Sequence, residues 1–190
     1  MENLFIFDLD GTLIDSQQDL VESVNAVRRY LGMEELPAQQ IASYVGNGAP
    51  VLIRRSLGPD APDSMVEEGL AYFLEYYREH MLDHTRPYPG VEEGLDRVAE
   101  TGSPMAVLTN KPVRFSQEII RGLGWADRFF QVYGGNSFDQ KKPHPLGIEK
   151  LIEESGMHQS NTVMVGDSAV DVQTARNAGV LACGVSYGFQ

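Results

Sequence analysis

Five short apolar runs recur along the chain, at Leu4–Phe7, Pro104–Leu108, Gln131–Tyr133, Thr162–Val165 and Val180–Val185. Each is bounded by turn residues or by polar residues of catalytic type, which predicts buried strands. Between the later runs the periodicity becomes helical, over Glu92–Glu100, Arg114–Leu123, Leu146–Ser155 and Ala169–Ala178. Each stretch stops within two residues of a glycine, and Gly179 directly after Ala178 is a C-cap signal. Strand and helix in alternation predict an α/β fold class. The expected architecture is a doubly wound (Rossmann-like) parallel sheet, covered on both faces through right-handed crossovers.

One stretch breaks the alternation. Leu20, Val24, Val27 and Leu31 fall on one face of a helix. Ser64-Met65-Val66-Glu67 reads as a capping box. It is expected to open a second helix carrying Val66, Leu70, Phe73, Tyr77 and Met81 on its apolar face. Shorter helices are expected near Ala38–Val45 and Pro50–Leu57. The predicted organisation is therefore an α/β core of residues 1–15 and 85–190, with an all-helical insert over 16–84. Pro87, Pro89 and Gly90 mark the return to the core.

Charge narrows the partners. The 190 residues hold 27 acids and 15 bases, a formal net charge of −12. Nucleic acid and anionic membrane surfaces reward the opposite sign, so neither is expected as a partner. The insert carries 11 acids and 5 bases, so the excess is spread over both parts and hides no basic surface. The single cysteine, Cys183, excludes an intramolecular disulfide and fits a reducing cytoplasm. No apolar run approaches the ~18 residues that span a bilayer. The opening Met-Glu-Asn, with no basic region, predicts no signal peptide.

Chemistry gathers at the ends of the predicted strands. Asp8 and Asp10 close the first, two residues apart, so an extended chain would present both carboxylates on one side. The same Asp-x-Asp-Gly is also ordinary turn chemistry. The fourth strand ends in Gly166-Asp167-Ser168, placing a third carboxylate at that sheet edge unless Asp167 simply caps the next helix. Three hard oxygen ligands beside a phosphate site call for Mg²⁺. Asp171 faces the same pocket or is a surface residue of the helix's first turn. Thr109 offers a hydroxyl and Asn110 an amide donor for phosphate, or the two cap the following helix. Lys142, held before Pro143, is suited to neutralise phosphate charge, unless it belongs to a solvated pair with Lys141. In order, Asp-x-Asp, Thr, Lys and Gly-Asp-Ser are what phosphoryl transfer through an aspartyl-phosphate requires.

These motifs resemble those of the haloacid dehalogenase superfamily of phosphatases. The resemblance rests on Phe-Asp-Leu-Asp-Gly-Thr-Leu at 7–13, Leu-Thr-Asn at 108–110, Lys142-Pro143, and Gly166-Asp167-Ser168 with Asp171. It covers nearly the whole chain, including a helical insert where that superfamily carries its C1 caps. Tyr44-Val45-Gly46-Asn47-Gly48-Ala49, Thr109-Asn110-Lys111-Pro112 and Lys142-Pro143-His144-Pro145 are similar to the bacterial phosphoglycolate phosphatase subfamily. The resemblance implies that Asp8 attacks phosphorus and that Asp10 protonates the leaving alkoxide, then deprotonates water. It implies that Thr109, Asn110 and Lys142 hold the phosphoryl group. Asp8, the backbone carbonyl of Asp10, and Asp167 would bind Mg²⁺, with Asp171 and Ser168 in support. The cap would close over a small phosphomonoester, 2-phosphoglycolate being the expected one. Members of the family usually continue past the fifth strand with a further strand and helix, where this sequence ends at Tyr187-Gly188-Phe189-Gln190. That predicts a shortened core, working as a monomer or homodimer.

Arg54 and Arg55, on an insert helix, are candidates for a substrate carboxylate or a solvated face. His144 between prolines is expected on a surface loop, Lys111 falls between a site residue and a loop charge, and Tyr72, Phe73, Tyr76 and Tyr77 are expected in the insert's core. Asp10 argues against a dehalogenase, since a halide leaves without a proton. A phosphosugar mutase and a nucleotide or pyrophosphate phosphatase share these parts. From other classes, a non-enzymatic phospho-receiver has a similar acidic pocket but leaves the insert unexplained, and a catalytically silent interaction protein would show no turnover.

Overall fold

Alternate residues of the first strand leave to opposite faces of a sheet, and each meets a separate core. Leu4 and Ile6 join Ala106, Leu108, Ile148, Leu151, Met164 and Ala175 on one side. Phe7 joins Leu95, Met105, Val107, Ile119, Trp125 and Phe129 on the other. This period of two is what a strand buried on both faces requires.

The computed structural model describes residues 2–189. In chain order the first half holds β1 (Leu4–Phe7), β2 (Ile14–Asp15), α1 (Gln17–Tyr30), α2 (Ala38–Ala42), α3 (Ala49–Leu57), α4 (Asp63–His80) and β3 (Arg86–Pro87). The second half holds α5 (Val91–Glu100), β4 (Met105–Leu108), α6 (Val113–Gly122), β5 (Gln131–Tyr133), α7 (Leu146–Ser155), β6 (Thr162–Gly166), α8 (Ala169–Ala178) and β7 (Leu181–Gly184). The five longer strands form one parallel sheet in the order β5-β4-β1-β6-β7. Phe7 pairs with Val107 on one side and Val165 on the other. Residues just beyond β1, β4 and β6 therefore emerge together at one sheet edge, where open α/β sheets bind ligands.

Between β2 and β3 the chain is helical. α1 packs on α4 and α3 on α4, and their buried side chains Val24, Val27, Ile53, Phe73 and Tyr77 run on into the Phe7 core. A two-residue antiparallel pairing of β2 with β3 ties the entry of this segment to its exit. Below it the buried Asp19 carboxylate accepts the backbone N–H of His84 at 2.9 Å, that of Thr85 at 2.8 Å, and the Thr85 hydroxyl at 2.7 Å. A buried carboxylate is tolerated where such donors surround it. Neither the short pairing nor the Asp19 staple has a hydrophobic period to reveal it in sequence.

Two expectations need correction. α4 starts at Asp63, behind Pro62, so Ser64 lies inside the first turn and caps nothing; proline fixes the preceding backbone and starts the helix early. The capping box lies elsewhere, between Ser168 and Asp171 at the start of α8. The last strand, expected to be buried, is exposed along its length, with Leu181 61% accessible. It is the sheet's outer strand on the β6 side, and unlike it, β5 at the other edge is half-buried.

Candidate active site

The end of β1 turns instead of extending. The Leu13 and Ile14 N–H groups both donate to the Leu9 carbonyl, and Gly11 takes a positive φ of 81°. The carboxylates of Asp8 and Asp10, on either side of Leu9 at the start of this turn, have different partners.

Asp8 faces Lys142. Its Oδ1 accepts the Leu9 N–H at 2.7 Å and the Lys142 ammonium at 2.9 Å. The same Nζ donates to Asp171 Oδ1 at 2.6 Å. Lys142 is 3% exposed, so the solvated-pair reading fails for it, while Lys141 is exposed and donates to the Asn47 carbonyl. Asp171 Oδ2 accepts both the N–H and the hydroxyl of Ser168. Ser168, not Asp167, caps α8, which leaves Asp167 to the edge of the pocket.

Three carboxylates, Asp8, Asp167 and Asp171, offer oxygens all within 4.8 Å of one another. Burial pushes the Asp8 carboxyl up to about 7, Asp171 adding to the rise and Lys142 opposing it. Burial also raises Asp167 above its ordinary value. For Lys142 burial alone would lower the ammonium, but Asp8 and Asp171 outweigh it and hold it high. Crowded hard oxygens that resist ionisation fit a small divalent cation such as Mg²⁺. Asp171 is committed to the Lys142 ammonium and to two Ser168 donors. Asp167 takes the Phe189 N–H and a long 3.4 Å contact from the Thr12 hydroxyl, so Asp8 and Asp167 are the carboxylates better suited to hold it. A side chain at Gly11 would lie 2.4 Å from Asp167 Oδ2, so glycine is required for this approach. The chain's final described residues also close here. Phe189 N–H donates to Asp167 Oδ2 at 2.9 Å, and the Tyr187 hydroxyl donates to the Thr12 carbonyl at 2.9 Å.

Asp10 turns to the helical segment. It accepts the Ser16 hydroxyl at 2.5 Å and, on both oxygens, the Lys111 ammonium at 3.0 Å. Lys111 also donates to the Tyr77 hydroxyl at 2.7 Å, from α4. Burial would lower the Lys111 ammonium, but Asp10 and Tyr77 outweigh that and raise it. Lys111 is thus part of the site and not a loop charge. Tyr77 and Phe73 line its cavity while also belonging to the core; sequence showed their helical spacing but not which turn met Lys111.

Thr109 is buried at the end of β4, its Oγ1 accepting the Lys111 N–H at 3.2 Å. Asn110 spends both amide hydrogens on carbonyls, those of Gly46 at 3.0 Å and Lys142 at 3.1 Å. Its side-chain donors, expected for phosphate, instead clamp the Gly46 loop to the lysine loop. Its Oδ1 is buried with no hydrogen-bond partner among the described residues, an acceptor for an incoming O–H. Pro112, and not Thr109 or Asn110, precedes α6. Arg54 pairs with Asp63 and the Ala61 carbonyl; with Arg55 it lines a surface groove and not the cavity at Asp10. His144 Nδ1 accepts the Leu146 N–H, a local loop contact.

Residues 5–185 match the haloacid dehalogenase-like hydrolase family. By that match and by the relatives below, the chain belongs to this family and is an enzyme of phosphatase type. It is 43% identical over 187 residues to the phosphoglycolate phosphatase of Neisseria meningitidis, covering 96% of this chain and 80% of that one. It is 37% identical over 194 residues to the phosphoglycolate phosphatase of Vibrio vulnificus strain CMCP6, covering 98% and 84%. A crystal structure described as a predicted phosphoglycolate phosphatase, from Haemophilus somnus 129pt, superposes with a TM-score of 0.93 at 31% identity. It covers 98% of this chain and 86% of that one.

Proposed function

We propose that the protein is a Mg²⁺-dependent phosphatase that hydrolyses a small phosphomonoester, 2-phosphoglycolate, through a phosphorylated Asp8. The observation that carries this is the meeting of Asp8 with Lys142 at one sheet edge, beside Asp167. Leu9 N–H and Lys142 fix Asp8 Oδ1 and so orient the carboxylate for attack on phosphorus. The ester P–O bond breaks as the new bond forms, and Asp10, which enters this step protonated with one oxygen released by Lys111, gives that proton to the departing alkoxide. Asp10 then takes a proton from the water that attacks the phosphorylated Asp8, releasing inorganic phosphate. Lys142 and the Thr109 hydroxyl stabilise charge on the phosphoryl oxygens. Mg²⁺, when held by Asp8, Asp167 and the Asp10 carbonyl, supplies further neutralisation of phosphate charge. Asp171 and Ser168 keep Lys142 in place.

Residues 16–84 serve in this reading as a cap on a core of 1–15 and 85–190. Between them, at Asp10, lies a cavity of ≈ 40 Å³, room for a few waters, next to a wider groove of ≈ 580 Å³ that shares Gly48, Asn110 and Phe115 with it. A chamber this tight at Asp10 supports a cap that opens to admit substrate and closes over the reacting end. A cytoplasmic setting is part of the proposal, resting on the one free cysteine, Cys183. No described helix is long and apolar enough to cross a membrane.

The test is phosphate release across 2-phosphoglycolate, phosphosugars, nucleotides and pyrophosphate, with and without Mg²⁺. Sustained Mg²⁺-dependent turnover, greatest in kcat/KM for phosphoglycolate and abolished in Asp8→Asn, is the expected result. A single stoichiometric phosphorylation without turnover would sink the enzymatic reading. A better phosphosugar or nucleotide substrate would sink only the substrate.

A further inference from the structure

The cavity at Asp10 contains a feature that the phosphate chemistry leaves unused. Among the described residues lining it, Lys111 carries the one positive charge and Asp10 the one negative; the rest is largely apolar, including Leu20, Leu52 and Phe115. An ammonium buried to 4% side-chain exposure in such a chamber needs an anion to stay charged. Without substrate it shares its hydrogens between both Asp10 oxygens and Tyr77. The buried Tyr77 hydroxyl accepts from Lys111, and its own proton has no acceptor among the described residues. Two donors, one charged and one unspent, thus point into a small cavity beside the proposed acid.

We propose that Lys111 and Tyr77 form the subsite that recognises the substrate's carboxylate. The assignment rests on the reading of the protein as a phosphatase for a two-carbon acid. With the phosphoryl group at Asp8, Thr109 and Lys142, the ester oxygen must come within reach of Asp10. The carboxylate of a two-carbon substrate then lies one carbon further, beside the side chains that already hold Asp10. There it takes a bond from Lys111, replacing one of the two that Asp10 holds, and a bond from the Tyr77 hydroxyl. Asp10 keeps Ser16, which is enough to orient it. Charged hydrogen bonds of this kind discriminate strongly, because a substrate lacking the carboxylate leaves both donors with no new acceptor. Arg54 and Arg55, the cations that sequence suggested for this role, line a different groove.

The test compares 2-phosphoglycolate with ethyl phosphate, the same two-carbon ester without the carboxylate, in the Mg²⁺-loaded enzyme. Wild type should prefer phosphoglycolate in kcat/KM by about 100-fold or more, as two donors to a carboxylate imply. Lys111→Met should cut that preference at least ~10-fold, mainly through KM, and Tyr77→Phe by a smaller factor in the same direction. Lys111→Arg, which keeps the cation, should retain most of the preference. Equal losses on both esters would mean that Lys111 only positions Asp10, and would overturn the subsite. A preference surviving intact in Lys111→Met would overturn it too, with the substrate reading still standing. A wild-type ratio near one would overturn the substrate reading itself, and the subsite with it. Should Lys111→Met fail to fold, Tyr77→Phe alone decides: an undiminished preference there overturns the paired subsite.

Discussion

Lys142 Nζ lies 2.6 Å from Asp171 Oδ1, a contact that joins the loop before α7 to the first turn of α8. Since the same nitrogen reaches Asp8 at 2.9 Å, the pair sets where the proposed nucleophile sits. Lys142→Met should lower kcat/KM by about 100-fold to 1,000-fold, the loss typical of one transition-state donor. Asp171→Asn keeps the shape and the Ser168 contacts but weakens the hold on the ammonium, so its loss should be smaller, about 10-fold. Steady-state kinetics of both variants check the order; an Asp171→Asn as impaired as Lys142→Met would give Asp171 a direct part in the chemistry.

The raised Asp8 carboxyl predicts how stability depends on pH. In the metal-free protein Asp8 keeps its proton to about pH 7, against an ordinary value of 3.8. The folded state then binds more protons than the unfolded one across that window. The stability Asp8 contributes is complete below about pH 4 and is lost as pH rises through about 7. Asp8→Asn carries no such titration, so with chelator present its Tm should gain on wild type between pH 5 and pH 8 by a few degrees. Because proton and metal compete for one carboxylate, Mg²⁺ should bind more tightly to wild type as pH rises through about 7. Titration calorimetry at pH 6 and 8 measures this; affinity independent of pH would show that Asp8 does not bind the ion.

Asn110 supplies a prediction about the join between the two parts of the chain. Its amide holds the Gly46 and Lys142 carbonyls together. Asn110→Ala leaves both to find other donors, at a cost of about 2 kcal/mol in stability. Asn110→Asp should be worse, since it sets a carboxylate against two carbonyls. Both should lose activity through a displaced Lys142. Thermal unfolding that ranks wild type above Asn110→Ala above Asn110→Asp supports the clamp; wild-type Tm in both variants would contradict it.

What could be read in advance follows from how each feature is encoded. The strands β1, β4, β5 and β6 and the helices α7 and α8 have local periods, and they lie within a residue of their expected bounds. That Asp8, Thr109, Lys142 and Asp167 would share one edge follows from parallel strands, whose carboxyl ends all point one way. That Asp8 and Asp10 would take different lysines was not legible, because Lys142 reaches Asp8 from a loop far along the chain. Nor was the Lys111–Asp10 pair, whose members lie 101 positions apart in sequence. A buried lysine and a loop lysine look alike until the neighbours are placed. Arg54 and Arg55 show the converse: their charge suggested a ligand, and α3 turns them elsewhere.

The closeness of Asp171 to β6 gives the last prediction. A Cβ added at Gly166 would stand 2.3 Å from Asp171 Cγ and 2.4 Å from its Cβ and Oδ2. Those atoms lie next to the α8 backbone and are held by Ser168 and Lys142, so they have no easy way to give. Gly166→Ala should therefore displace Asp171, loosen Lys142 and lose both stability and activity. Gly94, exposed inside α5, meets nothing within 4 Å and serves as the contrast. There alanine should stabilise the helix by about 0.5–1 kcal/mol without touching turnover. Thermal unfolding with kinetics on the two variants separates a general effect of replacing glycine from a local one at the site. If Gly166→Ala kept wild-type kcat and Tm, Asp171 would not need its present position, and Lys142 would have to be held by Asp8 alone.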